Sequence, residues 1–189
     1  VYTNKQSINR RQKERIAGYA FQHFVKEGEV IVLEAGTTAM AMVKHLQYAH
    51  LTIITNGLGT LNALANVQPT IEAICCGGIL RDVGKTFVGP HAVQFFEGIR
   101  THKVFLSATG ITIEDGISDP NMLEIQVKRA MDSRDDSAIL LLDSSKFGVR
   151  SLQTILPIDH ISAIVTDAEP DTRYVDWLHE HGVDLHVVG

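Results

Sequence analysis

Short apolar stretches of strand length recur along the chain. Several are continuously apolar rather than alternating, such as AILLLD at 138–143, which is typical of strands covered on both faces. The pattern therefore predicts a buried, mainly parallel sheet. Its strands are expected at residues 30–33, 51–55, 71–76, 103–108, 138–143, 162–167 and 184–188.

Segments with apolar residues at helical spacing lie between most of these strands. The first ends at Gly28, a residue type that commonly stops a helix, and Pro90 and Pro120 suit the first position of later helices. Helices are predicted over residues 11–28, 38–47, 58–67, 90–99, 120–133 and 171–182.

Alternation of strands and helices predicts the fold class. It is α/β and Rossmann-like, with a mainly parallel sheet and helices on both faces. A length of 189 residues suits one sizeable domain, and no Pro/Gly/Ser-rich linker divides the chain. The long, loop-like stretch GGILRDVGKTFVGP leaves room for a small inserted lobe around residues 78–100.

Charge is distributed unevenly along the chain. The total is −5, but residues 1–15 hold five basic residues against Glu14 and carry +4, which leaves −9 on residues 16–189. Duplex binding draws much of its affinity from cation–phosphate contacts, so this acidic body is not expected to bind DNA by itself. The basic start suits a linker, an arm or a solvated helix face.

Several classes of protein and site lack support in the sequence. No apolar run reaches the ~18 residues that cross a bilayer, and no signal peptide is present. Cys75 and Cys76 are adjacent, which fits neither a disulfide scaffold nor a zinc site and suits a reducing, cytoplasmic compartment. The histidines form no metal motif, so neither metal nor cofactor is expected.

Glycine and short polar residues follow the first five major strands. Open α/β sheets bind ligands at this edge, and a glycine with exposed N–H groups at a helix start suits an anion such as phosphate. Helix capping by Thr37 or Thr38 is the alternative explanation for the first loop. The loops are EAGTT at 34–38, TNGLG at 55–59, CCGGILR at 75–81, SATGI with Gly110 at 107–111, and DSSKFG at 143–148.

Three charged residues extend the candidate site. Glu124 and Lys128 are four residues apart on one helical face, where they can contact the hydroxyls and phosphate of a ligand. Lys146 follows an apolar strand and can bind an anion as a point charge. The alternatives are a surface ion pair worth about 0.3–0.5 kcal/mol and a solvated loop lysine.

Seven stretches, taken in order, resemble the effector-sensing domain of DeoR-family bacterial transcription regulators. The resemblance spans Asn9 to Asp167 and implies a ribose-5-phosphate-isomerase-like fold that binds a phosphorylated sugar or related metabolite. It also implies that a winged helix-turn-helix that binds operator DNA precedes residue 1. Residues 1–15 would then be the linker and the start of the first helix, and residues 16–189 would be the sensing domain. The stretches are NRRQKERIAGYA, EAGTTAMAMVKHL, LTIITNGLGTLNAL, CCGGILRDVGKTFVGPHA, KVFLSATGI, GISDPNMLEIQVKRAM and LLLDSSKFG.

The same resemblance assigns roles to residues. By this resemblance, Gly36, Thr37 and Thr38 form a phosphate-binding loop, and Asn56 and Gly77 line the entrance of the same site. The polar residues that would bind the sugar hydroxyls and the anion are Glu124, Lys128 and Lys146. Two departures bear on the identity of the ligand. Glu34–Ala35 stands where the family usually has Asp-Ser, and Val149 separates Gly148 from Arg150 where the family usually has Gly-Arg.

Three functions follow from these observations. The leading one is the sensor of a repressor of sugar-metabolism genes, expected as a homo-oligomer because symmetric operators call for symmetric proteins. The alternative is an aldose–ketose isomerase, with Glu124 as base, Lys146 as enediolate stabiliser, and Glu114 or Asp115 as a further carboxylate. The third is an oligomerisation module that uses exposed apolar residues near Phe95, Phe96 or Trp177, whose place at the surface or in the core the sequence leaves open.

Overall fold

The computed structural model describes residues 7–46, 50–67, 71–132 and 137–189. Three predicted features lie partly outside these ranges: the linker over residues 1–6, the end of the helix at 47, and the end of another helix at 133. None of the helices in the described ranges is long and apolar enough to span a bilayer.

Seven of the strands form one parallel sheet in the order β12-β11-β9-β6-β1-β2-β3. This confirms the predicted fold class, and each of the seven apolar stretches supplies one strand. In chain order the strands are β1 (Val30–Leu33), β2 (Leu51–Thr55), β3 (Ile71–Cys75), β4 (Ile79–Arg81), β5 (Thr86–Val88), β6 (Lys103–Leu106), β7 (Gly110–Thr112), β8 (Gly116–Asp119), β9 (Ser137–Leu141), β10 (Gln153–Thr154), β11 (Ala163–Thr166) and β12 (Asp184–Val187).

Two small antiparallel sheets sit beside the main one. β4 and β5 form a hairpin in the stretch where the sequence leaves room for a lobe, and β7, β8 and β10 form a three-stranded sheet. Apolar patterning does not reveal these strands because each has only two to four residues. The segment after β6, expected to be a loop, therefore contains a hairpin.

Helices cover both faces of the main sheet, as predicted. Asn121 caps α5 by accepting hydrogen bonds from the N–H groups of Leu123 and Glu124, so Pro120 precedes this helix instead of occupying its first position. α2 is shorter than predicted and continues as a 3-10 turn over Met42–His45. The helices are α1 (Arg10–Phe24), α2 (Thr37–Ala41), α3 (Leu58–Leu64), α4 (Pro90–Glu97), α5 (Met122–Met131) and α6 (Thr172–Glu180).

The core has two layers, one on each face of the sheet. Val32 packs in one layer with α4, α5 and α6, whereas Ile31 and Leu33 pack in the other with α1 and α2. Phe96 and Trp177 are buried in the first layer, and Phe95 packs against it. Phe96 and Trp177 therefore belong to the core and Phe95 is partly buried against it, so these three side chains do not form an exposed surface. Oligomerisation of the domain stays a prediction.

A small aromatic and histidine cluster joins α1 to β12. Tyr19 Oη lies 2.8 Å from His186 Nδ1, and the rings of His23 and His186 are 4.9 Å apart. Burial and the neighbouring His23 lower the pKa of His186, and Asp184 partly offsets them. The folded domain therefore binds this proton less readily than the unfolded chain does.

This shift predicts a loss of stability in mild acid. The stabilising contribution of neutral His186 is fully present above the ordinary histidine pKa of about 6.5 and is lost as pH falls through the lowered pKa. His186→Gln should therefore lose less of its free energy of unfolding between pH 7.5 and pH 5 than wild type, measured by urea titration. His91→Gln, at an exposed position, is the control. Equal losses in wild type and His186→Gln would contradict the assignment.

Candidate functional site

A cleft of about 320 Å³ opens at the carboxyl ends of β1, β6 and β9. From β1 the chain adds β2 and β3 on one side, and it later returns through β6 to build the other side. The boundary between β1 and β6 is the topological switch point, where open α/β sheets bind their ligands. α1 and α2, from one face of the sheet, form one wall, and α5 with the β4–β5 hairpin, from the other face, forms the opposite wall.

The loop after β1 approaches β6 too closely for a side chain at position 36. A Cβ atom on Gly36 would lie 2.2 Å from Ser107 Oγ. Gly36 is the N-cap of α2 and makes no side-chain cap, so Thr37 and Thr38 are the first two helical residues and neither is the capping residue. Both threonines line the cleft, and the alternative of capping by either one is therefore wrong.

A buried ionic cluster forms the floor of the cleft. The Lys128 ammonium donates to Asp119 Oδ2 at 2.6 Å and to the Ser107 carbonyl at 2.8 Å, and it lies 3.5 Å from Glu34 Oε1. Glu34 Oε2 accepts from Ser107 Oγ at 2.6 Å and from the N–H groups of Ser107 and Gly36, each at 3.2 Å. The three charged residues are at most 4% exposed. These contacts tie α5 to the ends of β1, β6 and β8.

The two carboxylates keep Lys128 charged despite its burial. Burial alone would lower the pKa of Lys128, but the charges of Asp119 and Glu34 outweigh it, so that the pKa lies above its ordinary value. Lys128 has three N–H donors, and Asp119, Ser107 and Glu34 lie around them. Its main effect is therefore to hold the floor together, although it borders the cleft.

Glu124 lies on the wall formed by α5 and the hairpin. Its Oε1 atom accepts from Arg81 and from Thr86 Oγ1, both at 2.9 Å, and the Arg81–Glu124 ion pair is largely buried. Because both bonds go to the same oxygen, Oε2 remains the more available acceptor for a ligand hydroxyl. The predicted shared face of Glu124 and Lys128 is confirmed, since both border the cleft.

Two further lysines, Lys146 and Lys13, border the cleft. Lys146 belongs to a 3-10 turn over Ser144–Lys146 after β9, and Lys13 projects from α1. Asp143 caps the turn by accepting from the Ser145 N–H at 3.1 Å. The cleft thus combines cations and threonine hydroxyls with carboxylates, a set of groups that suits a polyhydroxylated anion.

Six of the nine residues predicted for the site line the cleft, and three do not. Asn56 is 1% exposed, its side-chain oxygen accepts from the Ala35 N–H at 3.0 Å, and its carbonyl accepts from the Phe87 N–H at 2.7 Å. Asn56 therefore holds the loop that follows β1 in place without lining the cleft. Gly77 adopts φ 69 after β3, a conformation that glycine favours, and leads into the hairpin.

Gly110, the third residue outside the lining, allows a close approach of two segments. A Cβ atom at this position would lie 2.0 Å from the Val149 carbonyl oxygen. Gly110 therefore packs the start of β7 against the segment that follows Lys146. The two carboxylates considered for an isomerase also lie outside the cleft lining. Glu114 is exposed, and the Asp115 carboxylate pairs with Arg150 at 2.7 Å.

Sequence reasoning missed several residues that border the cleft. Lys13 carried a usable signal, because it lies three and four residues before Ile16 and Ala17 on the apolar face of α1. A charged residue on such a face needs a partner or a polar cavity. Asp119 lacked a comparable signal, since it reaches the cleft from the end of β8, a short strand that patterning did not reveal. The polar lining residues that the sequence analysis did not assign to the site are Lys13, Glu34, Arg81, Thr86, Ser107, Thr109, Asp119, Asn121 and Asp143.

The parallel sheet and the charged cleft at its switch point define the class of a small-molecule-binding domain. The chain belongs to the family of the DeoR C-terminal sensor domain, which matches residues 8–168. It is 35% identical over 187 residues to the uncharacterized HTH-type transcriptional regulator YulB of Bacillus subtilis, covering 99% of this chain and 72% of that protein. It is 26% identical over 185 residues to the glycerol-3-phosphate regulon repressor of Escherichia coli, covering 97% and 73%.

The fold has a counterpart among solved structures. Ribose 5-phosphate isomerase A from Methanocaldococcus jannaschii aligns with a TM-score of 0.50 and 18% identity, covering 74% of this chain and 55% of that one. This likeness concerns the fold alone. The family and the relatives instead make the chain the ligand-sensing domain of a transcription regulator, so that the isomerase alternative is wrong.

Proposed function

We propose that the cleft binds a phosphorylated sugar or related polyol phosphate as the effector of the regulator. The observation that carries the proposal is that charged or hydroxyl groups border the cleft on both walls. Lys13, Thr37 and Thr38 come from the wall of α1 and α2, whereas Glu124 and Arg81 come from the opposite wall. A ligand with an anionic end and several hydroxyls can contact both walls at once.

The phosphate group is expected between the lysines and the start of α2. Lys146 and Lys13 supply charge, and Thr37 and Thr38 supply hydroxyls. Hydrogen bonds to charged groups contribute about 1.5–3 kcal/mol each, more than bonds between neutral groups. The sugar hydroxyls then face Glu124, whose Oε2 atom is the available acceptor. One relative is named for the glycerol-3-phosphate regulon, which supports a small phosphorylated polyol as the ligand class.

The response to the effector is proposed to reach DNA through a helix-turn-helix module that precedes residue 1. The relatives are named as HTH-type regulators or repressors, and the chain spans about 72% of the length of YulB. An effector that binds one conformation better than another shifts the regulator between DNA-binding states. A homo-oligomer is expected to present two such modules to a symmetric operator.

Thermal shift against a compound panel tests the ligand class. Each phosphorylated sugar or polyol is paired with its unphosphorylated parent as the matched control. A ligand that binds only the folded state stabilises it by about 2.7 kcal/mol at 100 times its Kd. We expect at least one phosphorylated compound to raise Tm while its parent does not. Equal shifts for each pair, or no shift with any compound, would contradict the proposal.

A further inference from the structure

Asn9, just before α1, bonds to a loop that is distant in the sequence. Its backbone is left-handed, with φ 55 and ψ 36, and its side chain does not cap α1. Instead the Nδ2 group donates to Asp143 Oδ1 at 3.2 Å and to Ser145 Oγ at 3.4 Å. The start of α1 is thereby joined to the turn that carries Lys146. We call this pair of hydrogen bonds the Asn9 clasp.

The turn at the other end of the clasp is organised around Asp143. Asp143 Oδ1 also accepts from the Ser145 N–H and the Ser145 hydroxyl, and the Asp143 carbonyl accepts from the Lys146 N–H at 3.0 Å. From the opposite side, Asp167 accepts from the Ser144 N–H at 2.7 Å. The turn that places Lys146 in the cleft is thus held by Asp167, which follows β11, and by Asn9 at the start of α1.

The first turn of α1 contacts the cleft a second time. The Asn9 carbonyl accepts the first helical hydrogen bond, from the Lys13 N–H at 3.0 Å, and Lys13 borders the cleft. Asn9 and Lys13 therefore connect one helical turn to two parts of the site. A change in the position of either part must be accommodated by the start of this helix.

We propose that Asn9 is a positioning residue that couples occupancy of the cleft to the geometry of the first turn of α1. This inference rests on the proposed function and identifies the contacts through which ligand binding in the cleft affects the start of α1. An anion that orders Lys146 and Asp143 stabilises the clasp, and the clasp orders the start of α1. Coupling between two sites is reciprocal, so breaking the clasp must weaken anion binding by the same factor by which the anion favours the clasp.

Asn9→Gly removes the clasp with little effect on the backbone. Glycine adopts φ 55 readily, so the substitution deletes the amide without imposing a new conformation. Asn66→Ala is the matched control, because the side chain of this exposed asparagine donates to the Asn62 carbonyl of its own segment, the one side-chain bond described for it. Neither substitution alters a residue of the cleft lining.

Amide hydrogen exchange without ligand tests whether the clasp exists. We expect Asn9→Gly to speed exchange of the Ser145 and Lys146 amides by about fivefold, the factor that corresponds to loss of one ordinary hydrogen bond. These amides lie more than 130 residues from the substitution in sequence. Asn66→Ala should leave them unchanged. Unchanged exchange in Asn9→Gly would overturn the proposal.

Addition of inorganic phosphate tests the coupling. In wild type, phosphate should slow exchange at Ser145 and Lys146 and also at Lys13, whose amide bonds to Asn9. In Asn9→Gly, the protection of the Lys13 amide should be smaller than in wild type, because only the direct contact between the Lys13 side chain and the phosphate remains, and phosphate affinity should fall about fivefold. Equal protection of Lys13 in both proteins would overturn the coupling. Failure of phosphate to protect the turn in wild type would instead overturn the proposed function, and the ligand-free comparison would still decide whether the clasp exists.

Discussion

Lys128→Met should destabilise the folded domain by about 3–5 kcal/mol, because removing one partner of a buried ionic cluster leaves uncompensated charge. Asp119 and Glu34 are each 3% exposed, so neither carboxylate can recover its hydration when the ammonium is lost. The methionine side chain fills much of the same volume. The expected loss therefore reflects charge rather than a cavity.

Urea unfolding at pH 7 measures this effect. Lys44→Met is the control, since its ion pair with Glu14 is 60% and 40% exposed and such pairs contribute about 0–1 kcal/mol. Combining Lys128→Met with Asp119→Asn should recover part of the loss, because one of the unpaired charges is removed. Equal losses for Lys128→Met and Lys44→Met would show that the cluster does not stabilise the domain.

Lys146→Met should weaken phosphate binding by about tenfold or more, while the free energy of unfolding stays within about 0.5 kcal/mol of wild type. The side chain is half-buried and belongs to a turn that Asp143 and Asp167 hold through other groups. Its loss removes a charged donor from the ligand, whereas the framework of the cleft remains. Affinity and stability should therefore respond independently.

Calorimetric titration with inorganic phosphate, together with urea unfolding, separates the two effects. Lys26→Met is the matched control, because Lys26 is exposed and lies outside the cleft lining. It should leave both quantities unchanged. Equal phosphate affinities for Lys146→Met and wild type would place the anion elsewhere, and loss of stability in Lys146→Met would show that the lysine supports the turn.

The main sheet was predictable because its strands are buried on both faces. A continuous run such as AILLLD requires cover on both sides, and the structure divides consecutive residues of β1 between two core layers. The β4–β5 hairpin and the β7–β8–β10 sheet were not predictable in this way. Their short strands carry little periodic signal, and their register depends on contacts such as that between Gly110 and Val149.

The site was predictable where it follows strand ends and less so where tertiary contacts build it. Gly36, Thr37, Thr38 and Lys146 lie in the loops that follow β1 and β9 of the main sheet, and all four border the cleft. Asn56 follows a strand as well, but its amide bonds backward to the loop of β1. Position at a strand end specifies the edge of the sheet, whereas side-chain direction depends on neighbours that local sequence does not specify.

Glu34 bears directly on where an anion can bind in the cleft. Its longer side chain folds back so that the carboxylate accepts the Gly36 N–H, a group that the sequence had suggested for a ligand anion. The same carboxylate bonds to Ser107 and lies near Lys128. The phosphate proposed for the cleft is therefore expected nearer to Thr37, Thr38 and the two lysines than to the Gly36 N–H.

Amide NMR of the labelled domain during titration with inorganic phosphate tests the central claim most directly, because it locates the anion. We predict saturable shifts concentrated at Thr37, Thr38 and residues 144–146. The basic face of α1, with exposed Arg11 and Arg15, provides an internal comparison, since weak surface binding would appear there. Saturable shifts confined to that face, or none at the start of α2, would contradict an anion site in the cleft.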